Sequence, residues 1–250
     1  MLAFAAPSSD IDQCAHCALK PFLFYAEADG RTRTSDLMGL RLGCRSLPAK
    51  SPIYREGEIA SHYYTLFEGW AFRYKVMPDG KRQILSFLLP GDSISYQLMK
   101  ADRLRFSVQA LTEVSLCIFE RDSLRRYVAG RPLLVDRLDR LTLREIAAAD
   151  DRLVDLGRRS AHERIAGFLL LLYHRLRCRD RAADGSFDFP LRQHHLADAL
   201  GLTPVHVSRV LKDLKNDGLV TIDNARLTLH DLPMLSKLSG IGDADPDEPL

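Results

Sequence analysis

Long apolar runs are missing from this 250-residue chain. The longest, Ile165 to Tyr173, contains Gly167 and is half the roughly 18 residues that a membrane span needs. That excludes a helical membrane protein, and no membrane partner is expected. A basic start is missing from the N-terminal MLAFAAPSSDIDQCAHC, so it does not read as a secretory signal and a cytoplasmic protein is expected. Strong net charge is lacking too: 35 Lys and Arg against 33 Asp and Glu leave a formal +2. Cysteine is sparse and odd in number, with Cys14, Cys17, Cys44, Cys117 and Cys178. Such a set argues against a disulfide framework and leaves metal binding, redox sensing or burial. Enzyme signatures are absent as well. No Gly-rich phosphate loop and no Ser/His/Asp set stands out, and between residues 46 and 125 only His62 is found. A cupin-like metal enzyme needs closely spaced His ligands, so the chain is not expected to be an enzyme.

What is present is a change of period along the chain. Residues 1–45 are an arm carrying the C-x-x-C of Cys14 and Cys17. From 46 to 125 short alternating segments are separated by turns: Tyr63–Phe67, Trp70–Val76, Gln83–Leu89 and Ser115–Phe119, with Pro78-Asp79-Gly80 and Pro90-Gly91-Asp92 between. Strands at this spacing form an antiparallel sandwich or barrel. Over 126–160 the period turns helical. Leu134, Leu138 and Leu141 step by four and three, and after a slip Ile146, Ala149, Leu153 and Leu156 continue the stripe. A narrow apolar stripe on a highly charged helix reads as a dimer seam, with packing on its own barrel as the alternative. Arg121 to Arg181 carry fifteen Arg against nine acids, a basic excess suited to phosphate.

Residues 161–240 begin with a helix from Ala161 to Arg177 and a loop from Arg179 to Phe187, and end in a compact unit from Phe189 to about Ser239. Residues 241–250 form an acidic tail expected to be disordered. Within the unit, Gln193 to Leu214 reads as two helices and a tight turn. Ala197 is small where a second helix crosses, and Gly201 follows four residues later to turn the chain. Thr203 suits the N-cap, and Pro204 the first helical position. Val207, Val210, Leu211 and Leu214 supply a buried face. This is the spacing of a DNA-binding helix-turn-helix. Val205, His206, Ser208, Arg209, Lys212 and Lys215 then point outward. Arg209 is placed for a guanine, Ser208 and His206 for bases or phosphates, and Thr203 for a phosphate. Leu219–Ile222 and Arg226–Leu229, with a turn at Asp223-Asn224, add a wing whose Arg226 could meet a phosphate. Double-stranded DNA is the expected partner. The rival is an effector-binding module that acts through protein partners.

Gly69-Trp70, Pro78-Asp79-Gly80, Leu89-Pro90-Gly91-Asp92, Gln109-Ala110-Leu111 and Leu200-Gly201-Leu202-Thr203 through Ser208-Arg209 together resemble the Crp/Fnr family of bacterial regulators. The resemblance implies an α+β fold: an N-terminal cyclic-nucleotide-binding-like β-roll, a long dimerisation helix and a C-terminal winged helix-turn-helix. It also implies a homodimer on a palindromic site, with RNA polymerase as a further partner. The cAMP-binding branch holds its nucleotide with a Gly-Glu pair and an Arg-Ser pair. Here Gly91-Asp92 and Arg105-Phe106 stand instead, which argues against cAMP and leaves Gly91, Asp92 and Arg105 as a pocket for another effector. The oxygen-sensing branch looks closer, since Cys117 resembles that branch's cysteine on a late strand. Cys14, Cys17, Cys44 and Cys117 would then hold an iron–sulfur cluster or a zinc ion, with plain burial as the alternative. Both branches usually have Glu where Val205 stands, so a thymine methyl replaces cytosine as the expected contact.

Overall fold

The computed structural model describes residues 39–240. The C-x-x-C of Cys14 and Cys17 and the acidic tail lie outside the described residues. Among the described residues the chain divides into two compact units. One takes residues up to Val76 and Leu85–Leu143; the other takes Met77–Ile84 and Arg144 onward.

The first unit is built on two antiparallel sheets. Strands β1 (Arg41–Leu47), β7 (Val114–Glu120) and β3 (His62–Glu68) make one, in that order. Strands β2 (Pro52–Tyr54), β6 (Ser107–Ala110), β4 (Ala71–Val76) and β5 (Arg82–Leu88) make the other. Tyr63, Leu66, Val108, Leu116 and Ile118 are buried, so the core lies where alternate side chains of both sheets meet. Gly69 turns the chain between β3 and β4 at φ +81°, and a Cβ there would stand 2.0 Å from the Glu113 carbonyl oxygen. No other residue fits that position.

The first strand starts at Arg41, inside the segment the sequence assigned to the arm, and takes Cys44 into the sheet. Strands β1, β2 and β6 were not anticipated from sequence. The strands that were anticipated appear within a residue or two.

Strand β7 runs straight into helix α1 (Arg121–Ala129), whose N-cap is Glu120. The Glu120 carboxylate accepts from the backbone N–H of Asp122 at 3.1 Å and Ser123 at 2.6 Å. A hydrogen bond from the Ser123 side chain, and next these backbone ones, hold it down to about pKa 2. Helix α2 (Pro132–Arg158) follows. Its stripe divides into two halves. Leu134, Leu138 and Leu141 are buried, and Leu138 belongs to the core of the first unit. For Leu138 packing on the chain's own barrel is the correct reading, and Leu134 and Leu141 are likewise covered within one chain. The later half is open: Leu143 is 64% exposed, Ile146 53% and Leu153 69%.

The second unit begins with helix α3 (Ala161–Arg177), which a capping box starts. Ser160 Oγ accepts from the Glu163 N–H, and Glu163 accepts from the Ser160 N–H. The stretch expected as a loop is instead a hairpin, β8 (Ala182–Ala183) and β9 (Ser186–Asp188), turned by Asp184 and Gly185 at positive φ. It completes a four-stranded sheet with β10 (Val220–Asp223) and β11 (Arg226–Leu229), in the order β10-β11-β9-β8. Helices α4 (Gln193–Leu200), α5 (Pro204–Asn216) and α6 (Leu232–Ser239) complete the unit.

The turn joining β10 to β11 sits one residue later than the sequence suggested. Asp223 pairs with Arg226, which leaves Asn224 and Ala225 at the tip with φ of 47° and 57°. Left-handed backbone costs an L-residue with a Cβ roughly 1–2 kcal/mol. Glycine removes that cost but has roughly 0.5–1 kcal/mol more unfolded-state freedom to lose. Ala225→Gly is therefore expected to stabilise the protein by about 0.5 kcal/mol, read as a higher urea midpoint; a lower midpoint would contradict the turn geometry.

Candidate nucleic-acid interface

The residues that set the angle between α4 and α5 are Ala197, Gly201 and Val207. Ala197 is 4% exposed and Val207 wholly buried, so both lie on the inner faces of the two helices. Gly201 ends α4 in the left-handed conformation at φ 64°, and its N–H closes the helix on the Ala197 carbonyl. A Cβ at Gly201 would lie 2.8 Å from Leu156 Cδ2. Arg164 of α3 donates from Nη1 to the Leu200 carbonyl at 2.8 Å, satisfying a backbone acceptor that the helix end leaves open. Backbone, packing and cap thus agree on one turn.

Helix α5 starts as its sequence suggests. Thr203 is the N-cap and its Oγ1 accepts from the His206 N–H at 3.2 Å, with Pro204 in the first turn. Val207, Val210 and Leu214 are buried, and Leu211 is half-buried. The opposite face holds the residues singled out from sequence: Thr203, Val205, His206, Ser208, Arg209, Lys212 and Lys215 are all exposed. Val205 is 72% exposed, a large apolar side chain standing in water near the start of the helix. A concavity of about 680 Å³ opens beside this face, lined by His194, Ser208, Lys212, Lys215 and Ile222 among others. On the wing, Arg226 is turned sideways. Its Nε donates to Ser186 Oγ at 2.8 Å and its Nη1 lies 3.3 Å from Asp188 Oδ1.

His195 was not singled out as distinct from His194, and the structure separates the two. The backbone N–H of Arg192 donates to His195 Nδ1 at 3.0 Å, so that nitrogen carries no proton. Burial, and next the charge of His194, push its pKa from 6.5 down to about 4.

In the first unit Gly91 and Asp92 lie in the turn after β5, and the concavity that Arg105 lines does not include them. Gly91 and Asp92 close a turn: the Asp92 carboxylate accepts from the Leu89 N–H at 2.8 Å, and the Asp92 N–H bonds to the Leu89 carbonyl. Arg105 is exposed and lines a separate concavity of about 550 Å³ with Glu56, Asp102 and Arg103. The expected thiols fall in two groups. Cys44 and Cys117 are direct partners across β1 and β7, while Cys14 and Cys17 lie outside the described residues. Among the described residues no three His, Cys, Asp or Glu come together as a metal site. The two described thiols thus supply half of a four-thiolate set. A hydrogen bond from Cys117, opposed by burial and helped by the charge of Arg41, brings Cys44 down to about pKa 6.

Residues 44–131 match the family described as cyclic nucleotide-binding domain, and residues 163–238 the family described as Crp-like helix-turn-helix domain. The nitrogen fixation regulation protein FixK of Bradyrhizobium diazoefficiens is 34% identical over 219 residues, covering 87% of this chain and 90% of that one. The transcriptional activatory protein AadR of Rhodopseudomonas palustris is 33% identical over 222 residues, covering 88% and 91%. The solved structure of FixK2 from Bradyrhizobium japonicum superposes with a TM-score of 0.71 at 31% identity, over 78% of this chain and 96% of that one.

The position of His195 sets a pH dependence. Between pH 6.5 and about 4 the unfolded chain binds a proton at His195 that the folded chain does not. Stability is then expected to fall as pH drops through that window. His195→Asn keeps an acceptor for the Arg192 N–H but cannot titrate, and urea midpoints at pH 7 and pH 4.5 should lie closer together in this variant than in the parent. An unchanged gap would place the acid sensitivity elsewhere.

Proposed function

The chain belongs to the Crp/Fnr family of transcription regulators, on its Fnr-like side, and on that premise we propose that it works as a homodimer on a palindromic duplex site. A redox, gas or small-molecule signal at the N-terminal domain controls that binding.

The observation that carries this reading is the division of α5 into an inner face, with Val207, Val210 and Leu214 buried, and an exposed one bearing Val205, His206, Ser208, Arg209 and Lys212. Arg209 is the residue for a bidentate contact to guanine, and Val205 meets a thymine methyl. Ser208 and His206 reach bases or phosphates. Thr203 and Lys212 hold the backbone, Thr203 through its place at a helix N-terminus. Arg226 serves the neighbouring phosphate once it leaves Asp188, an exchange that costs little between exposed groups.

Dimerisation is supported by the open half of α2. Ile146, Ala149, Leu153 and Leu156 step by three, four and three, and all four are exposed within one chain. An apolar row of this kind calls for a partner helix, and a second copy of α2 supplies one of matching period. RNA polymerase is the further partner, in line with the activator names of AadR and of FnrL from Cereibacter sphaeroides. No described helix is long and apolar enough to cross a membrane, and the cytoplasm is where a DNA-binding regulator works. A cluster or zinc ion in the N-terminal domain would draw on Cys14 and Cys17 beside Cys44 and Cys117. Arg105, at the rim of its concavity, would be the contact for an anionic effector.

Selection from a pool of randomised duplexes is expected to return an inverted repeat. Arg209→Ala should lose about tenfold or more in affinity for it, following the roughly 1–3 kcal/mol of a bidentate base contact. Lys212→Ala should weaken all sequences alike and lower the salt slope by about one. Undiminished binding by Arg209→Ala would favour the rival in which the chain acts through protein partners. A second expectation concerns assembly: Ile146→Glu with Leu153→Glu should sediment as a monomer and no longer select a repeat. A dimer that persists in this variant would move the interface off α2.

A further inference from the structure

Cys44 and Cys117 occupy adjacent places in the sheet of β1, β7 and β3. They are Cα partners on antiparallel strands, although 73 positions separate them in sequence. Direct antiparallel partners have Cα atoms about 4.5 or 5.5 Å apart and side chains on one face. Both spacings lie inside the roughly 4.4–6.8 Å range that a disulfide bridges. The register therefore holds the two cysteines at a backbone separation that a disulfide can bridge.

Their surroundings differ in a useful way. Cys117 is 3% exposed and Cys44 is half-buried, so an oxidant in water reaches Cys44 first. Arg41 donates from Nη1 to Cys44 Sγ at 3.6 Å, a cation that favours the anionic sulfur. On the far side of Cys117, in the same cross-strand row, stands Thr65. Its hydroxyl is buried and has no hydrogen-bond partner. A reactive thiol at the surface and a protected thiol directly behind it are the two parts of a redox pair.

We propose that Cys44 and Cys117 are a reversible two-electron redox site that a hydroperoxide closes into a cross-strand disulfide. The Cys44 sulfur attacks the peroxide, the O–O bond breaks, one oxygen stays on sulfur as a sulfenic acid and the other leaves as water or an alcohol. The Cys117 thiol then attacks the Cys44 sulfur, the S–O bond breaks, and water departs with the thiol proton. Two thiols have lost two electrons and two protons, and one peroxide has been reduced; a dithiol reverses the change. The bond staples the edge strand β1 to β7, the strand that continues into α1. This chemistry stands on the sheet register, and its effect on DNA rests on the regulator reading above.

The test takes the full chain, reduced, with its five cysteines, and adds one equivalent of hydrogen peroxide before alkylation and tryptic mass analysis. A Cys44–Cys117 peptide two mass units lighter than its parts is expected, with thiol count falling from five to three and recovering with dithiothreitol. Cys44 should react at least tenfold faster than the exposed Cys178. In Cys117→Ser, dimedone should trap a sulfenic acid on Cys44. In Cys14→Ser with Cys17→Ser the linked peptide should persist. Free Cys44 and Cys117 after oxidation, or linkage only to Cys14 or Cys17, would overturn the proposal.

The reduced and oxidised samples are also titrated with the selected duplex. An affinity difference of at least fivefold that vanishes in Cys44→Ser is expected; equal affinities with the bond present would overturn its regulatory role alone. A reduced chain that binds no duplex, with the linked peptide present, would count against the regulator reading and leave the redox site standing.

Discussion

The sheet position of β7 is the constraint on which the first unit depends. It pairs with β1 on one side and β3 on the other, so ladders engage its backbone on both edges. Both of its faces are covered, with Leu116, Cys117, Ile118 and Phe119 all at 5% exposure or less. A slip of one residue would turn each side chain to the other face, so the register decides which side chains meet. That register decides two things at once. It seats Cys117 between Cys44 and Thr65, and it delivers Glu120 to the point where its carboxylate starts α1.

In the second unit a single backbone conformation has the same standing. Gly201 turns the chain in a conformation that other residues adopt only with strain, at φ 64°. The buried faces of α4 and α5 meet because of that turn, and the polar face of α5 is turned outward by the same geometry. Chemistry on the outward face is free to vary without disturbing the fold. Val205 in place of an acid is such a variation, since its side chain is 72% exposed.

How much of this could be read beforehand follows from where the information sits. The helix-turn-helix was legible because each of its positions has a local steric reason: a small residue at Ala197, a left-handed one at Gly201, a cap at Thr203. The exposed face of α5 followed from the same period. The hairpin of β8 and β9 was not legible as such, although Asp184-Gly185 is a turn signal. Its strands have two and three residues, too few to show a period of two. Strands β1, β2 and β6 escaped for a similar reason, being irregular or short, and with β1 went the pairing of Cys44 with Cys117. The stripe on α2 was read whole, but sequence cannot say which half its own chain covers. Resemblance marks Gly91-Asp92 as part of an effector pocket, and the hydrogen bond from the Leu89 N–H to the Asp92 carboxylate is a local detail that resemblance does not supply.

Val205 has a consequence that concerns heat rather than contact. A valine left 72% in water on a surface otherwise bearing His206, Arg209 and Lys212 is an apolar area waiting to be covered. Ionic contacts to a duplex weaken with salt through counterion release. Removing apolar area from water leaves a different mark, a negative change in heat capacity. Any partner that seats itself on the start of α5 must therefore be bound with two signatures at once, one that salt erodes and one that makes the binding enthalpy fall as temperature rises.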